Sequence, residues 1–260
     1  MFPTLFISHG SPMHAQDAGS AGAAWAAVTA SLPRPKAVMM VSAHWETAQP
    51  TLGSAAQPAT IHDFGGFPEA LYKIRYPAPG APDVAQRAAK LLADAGIAVT
   101  QDAQRGLDHG AWVPMQNMFK HADVQVLQLS VQTRLGTRHH LAVGRALHAL
   151  RDEVLIVASG HVTHNLRDAI SAMQGQVIPG SVESATGFQH WFDAKVMARD
   201  IDALLDYRTL QAEGARAHPT EEHFMPLFVA LGAAMPIAAS SCFYTGMEWQ
   251  SLVMDAYRFD

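Results

Sequence analysis

The feature that most constrains the fold is a series of short apolar segments that alternate with longer helical patterns. The apolar segments are too short for typical helices and predict strands at 4–8 (TLFIS), 37–43 (AVMMVSA), 124–131 (VQVLQLSV) and 154–159 (VLIVAS). Helical patterns occupy 21–32, 81–96, 137–152, 187–207 and 224–234, and a short helix is expected at 112–119. Strands followed by helices in repeated order predict an α/β fold, with a central mixed, mostly parallel sheet and helices on both faces.

The chain is expected to form a single domain over residues 1–260. Its length suffices for one large domain, and we find no linker, internal repeat or low-complexity tract. Residues 46–80 are rich in Gly, Pro, Ala and Thr and lack clear periodicity, which predicts a long loop of the kind that often carries function. Residues 241–259 are expected to be extended.

Composition excludes several classes of protein. Hydrophobic residues make up 49% of the chain and charged residues 16%, which argues against disorder. A net charge of −5, with no run of Lys or Arg, argues against a nucleic-acid partner. No apolar run approaches the roughly 18–20 residues of a membrane span, and the N-terminus lacks the basic region of a signal peptide. We therefore expect a cytoplasmic protein with no membrane partner.

Histidines stand at the ends of three predicted strands. His9 follows the first strand, His44 the second, and His161 and His164 the strand at 154–159, in a chain with 14 histidines. In open α/β sheets, ligands bind beyond the carboxyl ends of the strands, so these side chains are expected to share one edge. Because the chain has a single cysteine, a metal held there would have nitrogen and oxygen ligands, which suits Fe(II), Zn or Mn.

Three further histidines lie in distinctive contexts: His62 in IHDFGGFP, His109 in GLDHGAW and His223 in PTEEHFMP. Sequence signatures of rival mechanisms are absent, since the chain contains no GxSxG, GxGxxG, GxxxxGK[ST] or HExxH motif. The remaining histidines are expected to have no part in a site: His14 is interpreted as a bystander, and solvated or capping side chains are expected for His121, His139, His140, His148, His190 and His218.

Several blocks together resemble the class III extradiol ring-cleavage dioxygenases, in the branch named for 4,5-DOPA extradiol dioxygenase. The resemblance runs from residue 4 to about residue 232, with the blocks in the family's order. It implies an α/β fold in one domain around a central mixed sheet. The blocks are SHGSPM, VSAHW, IHDFGGFPEALY, YPAPG, GLDHGAW, QLSVQ, ASGHVTHNL and EEHFMPL.

The resemblance implies one metal ion, Fe(II) in the active members of the family and zinc in some, held by His9, His44 and His223. In the wider superfamily two histidines and a glutamate often bind the iron. Glu221 and Glu222 precede His223 directly, so either carboxylate remains an alternative or additional ligand at this point.

Three other residues receive roles from the same resemblance. His164 matches the family's acid/base histidine, His109 a second active-site histidine near the substrate, and His62 a further histidine in the substrate pocket. The loop at 60–80 also carries aromatic residues that either wall this pocket or pack in the core, namely Phe64, Phe67, Tyr72 and Tyr76.

The implied function is extradiol cleavage, in which O2 is inserted into a catechol-type ring to give a ring-opened muconic semialdehyde. Two alternatives use the same residues. One is a zinc-dependent hydrolase in which a metal-bound water is the nucleophile. The other is a catalytically idle homologue that binds metal or small aromatic molecules. The identity of the catechol, the position of cleavage and the oligomeric state are left open by the sequence.

Overall fold

Ten strands form the framework of the computed structural model, which describes residues 1–176 and 178–260. The strands are β1 (Thr4–Ser8), β2 (Ala37–Glu46), β3 (Thr51–Gly53), β4 (Thr100–Asp102), β5 (Gln125–Val131), β6 (Val154–Gly160), β7 (Ser240–Tyr244), β8 (Met247–Glu248), β9 (Leu252–Val253) and β10 (Ala256–Phe259).

Eight of these strands build one mixed sheet in the order β4-β3-β5-β2-β6-β1-β10-β7, and β8 pairs with β9 separately. The central strands β5, β2, β6 and β1 are parallel to one another, whereas β3 and β10 join them in antiparallel orientation. The carboxyl ends of β1, β2 and β6 therefore meet at one edge. Ser8 pairs with Gly160 and Ser42 with Ser159 at that edge, so residues that follow these positions lie close together.

Eleven α-helices occur in the described part of the chain, none of them long and apolar enough to cross a lipid bilayer. They are α1 (Gly19–Ala30), α2 (Glu69–Lys73), α3 (Pro82–Asp94), α4 (His109–Met118), α5 (Gly136–Leu147), α6 (Leu166–Met173), α7 (Ser181–Ala198), α8 (Ile201–Leu205), α9 (Tyr207–Leu210), α10 (Gly214–Ala217) and α11 (Met225–Ala234).

Both faces of the sheet are covered by helices, as the apolar strands predict. Alternate side chains of a strand point to opposite faces, and in β1 Phe6 faces one core while Leu5 and Ile7 face the other. The first core packs β1, β2, β5 and β6 against α3, α5, α7 and α11, and the second packs them against α1 and α4. The predicted single-domain α/β fold is confirmed.

Two predicted boundaries were wrong. β2 extends to Glu46, so His44 lies inside the strand rather than after it. Its ladder with β5 is irregular between Val41 and Glu46, and such bulges re-aim side chains. The predicted helix 187–207 starts earlier and breaks at Arg199, because Asp200 caps a new helix by accepting a hydrogen bond from the Ala203 amide.

The predicted loop 46–80 is also more structured than expected. It contains β3 and the short helix α2. β3 has only three residues and derives its order from pairing with β4 and β5, contacts that no local pattern announces.

Candidate metal centre

Three histidine side chains converge at the edge where β1, β2 and β6 end. His9 follows β1, His44 lies near the end of β2, and His223 precedes α11. The Nε2 atom of His44 lies 3.0 Å from that of His9 and 3.3 Å from that of His223. The structure thus brings together the three residues for which the family resemblance implied metal ligation.

Gly160 allows the backbone of His223 to approach this edge. A Cβ atom added at Gly160 would lie 2.0 Å from the His223 carbonyl oxygen, which no side chain tolerates. That carbonyl accepts a hydrogen bond of 2.9 Å from the His161 amide. A backbone contact across the end of β6 therefore fixes a residue that is distant in the sequence.

In His9 and His223, the hydrogen-bond partner of the outward-facing Nδ1 determines which ring nitrogen carries the hydrogen. The Ser159 hydroxyl donates its hydrogen to the Gly110 carbonyl at 2.5 Å, so its oxygen accepts from His9 Nδ1 at 3.0 Å. His223 Nδ1 lies 3.0 Å from a Glu222 carboxylate oxygen, which only accepts. In both histidines the hydrogen is on Nδ1, and the inward Nε2 presents a lone pair.

These lone pairs fit a metal ion. Only His44 could place a hydrogen on its inward nitrogen, and one hydrogen cannot satisfy both neighbouring lone pairs at once. Nitrogen ligands about 2.1 Å from one metal ion are separated by about 3.0–3.4 Å for bond angles from square to tetrahedral. The observed 3.0 and 3.3 Å separations lie within that range.

The electrostatic environment keeps the three rings neutral, as metal ligation requires. Burial, followed by the charges of neighbouring histidines, lowers the pKa of His9 and His223 well below the ordinary value. Burial is also the largest cause for His44, whose pKa falls to about 4. Neutral imidazoles at neutral pH leave all three available as donors.

His109 packs against this cluster, and the Asp63 carboxylate holds it in place by hydrogen bonds. Its ring centroid is 3.9 Å from that of His44. The Asp63 carboxylate accepts hydrogen bonds from the His109 amide at 2.8 Å and from Nδ1 at 3.0 Å. Asp108 caps α4 by accepting from the Ala111 amide. Burial raises the pKa of Asp63, but the hydrogen bonds from His109 outweigh burial and lower it to about 2.

His164 contacts the cluster on its other side. Its ring stacks on that of His223, with centroids 3.3 Å apart and planes 14° from parallel. Its Nδ1 lies 3.9 Å from a Glu222 oxygen, which is too long for a hydrogen bond, and its amide donates to Ala217 at 2.7 Å. Glu221 is directed elsewhere and accepts from the Tyr207 hydroxyl at 2.8 Å.

His62 lies one layer further out. Its ring packs against Phe64, Tyr72 and Trp112 at centroid distances of 5.7–5.9 Å, and Phe64 in turn contacts the His109 ring. Phe67 packs on Phe64 at 5.4 Å. These rings form a series of contacts that reaches the histidine cluster through Phe64 and His109.

Of the two alternatives for the aromatic residues of the loop, Tyr76 follows core packing rather than the pocket wall. Tyr76 is buried, and its hydroxyl donates to the Phe119 carbonyl at 2.8 Å. His140 and His218 are buried rather than solvated. Sequence reasoning did not identify Ser159 or Asp63, because their partners are set by strand register and by the path of a loop.

Comparison with known proteins agrees with this geometry. A family model described as the catalytic LigB subunit of aromatic ring-opening dioxygenase matches residues 3–251. The 4,5-DOPA dioxygenase extradiol of Beta vulgaris is 39% identical, over 98% of this chain and 96% of that protein. The protein of the same name from Escherichia coli K12 is 39% identical, over 89% and 84%.

A solved structure gives the same result at the level of the fold. The crystal structure of an uncharacterized protein from Escherichia coli K12 superposes with a TM-score of 0.83 at 33% identity, covering 100% of both chains. The family match spans nearly the whole chain and includes every histidine of the cluster. The chain therefore belongs to the LigB family and is an aromatic ring-opening dioxygenase of the extradiol class, as its sequence blocks predicted.

Proposed function

We propose that this chain is an Fe(II)-dependent dioxygenase that cleaves a catechol beside its two hydroxyl groups. The observation that carries the proposal is the set of three neutral imidazoles, two of them with Nε2 lone pairs fixed toward the third. In the reaction one ring carbon–carbon bond breaks and both atoms of O2 enter the product, a muconic semialdehyde.

His9, His44 and His223 would hold the metal, and Glu222 would orient His223 from behind. Three protein ligands would leave coordination positions for other groups, as in non-haem Fe(II) oxygenases. When bound, Fe(II) supplies a Lewis acid for the catechol oxygens and a route for electrons from the ring to dioxygen. Zinc would fit the same nitrogen donors but supplies no electron route.

Side chains of the protein would transfer the protons of the catechol and bind its aromatic ring. His164 is proposed as the base that accepts a catechol hydroxyl proton. Burial, followed by neighbouring histidines, lowers its pKa well below the ordinary value, so it is neutral and able to accept. His109 is the second acid/base group, and His62 with Phe64 and Tyr72 would contact the aromatic substrate. We also propose a cytoplasmic location, in keeping with the single cysteine.

Metal-free protein reconstituted anaerobically with Fe(II) or with zinc tests the proposal. Each form is given a panel of catechols while oxygen uptake and the yellow colour of the product are followed. We expect oxygen uptake and colour with iron and neither with zinc. Hydrolysis by the zinc form without oxygen uptake would instead establish a zinc hydrolase, and catechol binding without turnover by either form would establish an idle homologue.

Two variants make the test specific to the site. His44→Ala removes a proposed ligand and is expected to abolish both stoichiometric iron binding and oxygen uptake. His121→Ala is the matched control, because His121 is exposed and outside the cluster. Equal losses in both variants would contradict the assignment of His44.

A further inference from the structure

We propose that Asp63 is a positioning residue that fixes the tautomer of His109 and thereby makes His109 Nε2 the atom that exchanges a proton with the substrate. This inference deepens the proposed function and rests on it. Two hydrogen bonds carry it: Asp63 Oδ1 accepts from the His109 amide at 2.8 Å, and Asp63 Oδ2 accepts from His109 Nδ1 at 3.0 Å.

The double contact leaves His109 no freedom of orientation. The hydrogen bond from the His109 amide holds the Asp63 carboxylate at the first turn of α4. The hydrogen bond from Nδ1 holds the same carboxylate against the His109 ring. Because an ionised carboxylate only accepts, the Nδ1 nitrogen must carry the hydrogen. The second carboxylate oxygen also lies 3.7 Å from His44 Nδ1, outside hydrogen-bonding distance.

The other ring nitrogen of His109, Nε2, is consequently a lone-pair atom. Within residues 1–176 and 178–260, His109 Nε2 makes no hydrogen bond and is not among the buried unpaired polar atoms. It can accept a hydrogen from a substrate hydroxyl. The O–H bond then breaks, its electron pair stays on oxygen, and the new N–H bond can later return the proton.

The two proposed acid/base histidines differ, because the described residues place no carboxylate within hydrogen-bonding distance of His164. Its Nδ1 is 3.9 Å from the nearest Glu222 oxygen, too far to fix a tautomer. The structure thus assigns a defined reacting nitrogen to His109 and leaves His164 free to use either nitrogen. A carboxylate that holds one imidazole nitrogen so that the other can transfer a proton is a known arrangement in hydrolytic triads.

Asp63→Asn and Asp63→Ala test the inference in opposite ways. Asn keeps the shape of Asp, and its oxygen can accept from the His109 amide, but its NH₂ group then faces Nδ1 and forces the hydrogen onto Nε2. Ala leaves Nδ1 open to water and both tautomers accessible. We therefore expect Asn to be the more damaging change, with kcat reduced about 10²- to 10³-fold at nearly unchanged KM and metal content. A space-filling role predicts the reverse order, and that order would overturn the proposal.

A second readout does not depend on turnover. The ¹⁵N shifts of the His109 ring in the metal-free protein, identified by their loss in His109→Gln, report the tautomer directly. We expect Nδ1–H in the parent protein and Nε2–H in Asp63→Asn, and the same tautomer in both would refute the inference. If the parent protein cleaves no catechol, the proposed function fails while this measurement still tests Asp63. Glu69→Gln is the control, since Glu69 is exposed and pairs with Lys73 on α2.

Discussion

Removal of one hydroxyl group, in Ser159→Ala, should weaken both the fold and the metal site. Ser159 is fully buried at the end of β6. Its oxygen accepts from His9 Nδ1 at 3.0 Å, and its hydrogen goes to the Gly110 carbonyl at 2.5 Å. The hydroxyl therefore joins three elements that surround the cluster: β1, β6 and α4.

The size of the effect follows from the groups that lose a partner. Alanine leaves a buried imidazole N–H and a buried carbonyl oxygen unpaired, and each such group costs about 1–3 kcal/mol. We therefore expect the free energy of unfolding of the metal-free protein to fall by about 2–6 kcal/mol. Metal affinity should fall about 10- to 100-fold, since His9 loses the group that fixes its tautomer.

Urea unfolding of the metal-free protein and metal titration of the folded protein measure the two effects separately. Ser31→Ala is the matched control: this exposed serine donates to the Val28 carbonyl at the end of α1, and its loss should change stability by less than about 0.5 kcal/mol. If Ser159→Ala unfolds like the control and binds metal with the parent's affinity, the tautomer assignment of His9 is refuted.

Three further predictions concern other histidines. His164→Ala should retain the metal that His44→Ala loses, yet lose ring cleavage; metal analysis with oxygen uptake decides, and undiminished turnover would remove His164 from the mechanism. Burial lowers the pKa of His140 to about 4, so the folded state binds fewer protons than the unfolded state below about pH 6.5, and stability should fall by up to about 3 kcal/mol as pH drops toward 4. Urea unfolding against pH should show this slope in the parent protein and a smaller slope in His140→Gln. For His14, burial lowers the pKa, but the hydrogen bond and charge of Glu248 outweigh burial and raise it. The pair's contribution is then present below the unfolded pKa and lost as pH rises through the folded one, so Glu248→Gln should cost more stability, up to about 1 kcal/mol, at about pH 5.5 than at pH 8.5.

Local patterns predicted the parts of the fold that a single segment specifies. The strand TLFIS is observed at Thr4–Ser8, and the helix expected at 81–96 spans Pro82–Asp94. β4 was missed because Thr100–Asp102 is short and polar and exists through its pairing with β3. The break at Arg199 was missed because apolar periodicity continues across it, although Asp200 carried a capping signal.

In the site, too, the sequence predicted some residues and could not predict others. Strand ends and family blocks predicted the histidines whose Nε2 atoms converge. The groups behind them could not be predicted, because Ser159 reaches His9 through the register of β6 against β1, and Asp63 reaches His109 across 46 residues of chain. Glu222, an alternative ligand by sequence, accepts a hydrogen bond from the outward nitrogen of His223.

The position of each inward histidine and the position of its ring hydrogen have different structural causes. A histidine at the end of a strand is enough to place an imidazole in the cluster. Its tautomer depends in addition on the hydrogen-bond partner of its outward nitrogen. Without those partners a hydrogen could sit on Nε2 and bridge two rings, giving a satisfied polar cluster with little need for a cation. Ser159 and Glu222 hold that hydrogen on Nδ1 in His9 and His223, so the lone pairs repel each other until a cation lies between them. The affinity of the proposed centre should therefore depend on residues that never touch the metal as well as on its ligands, and metal binding should stabilise the fold in proportion to that affinity.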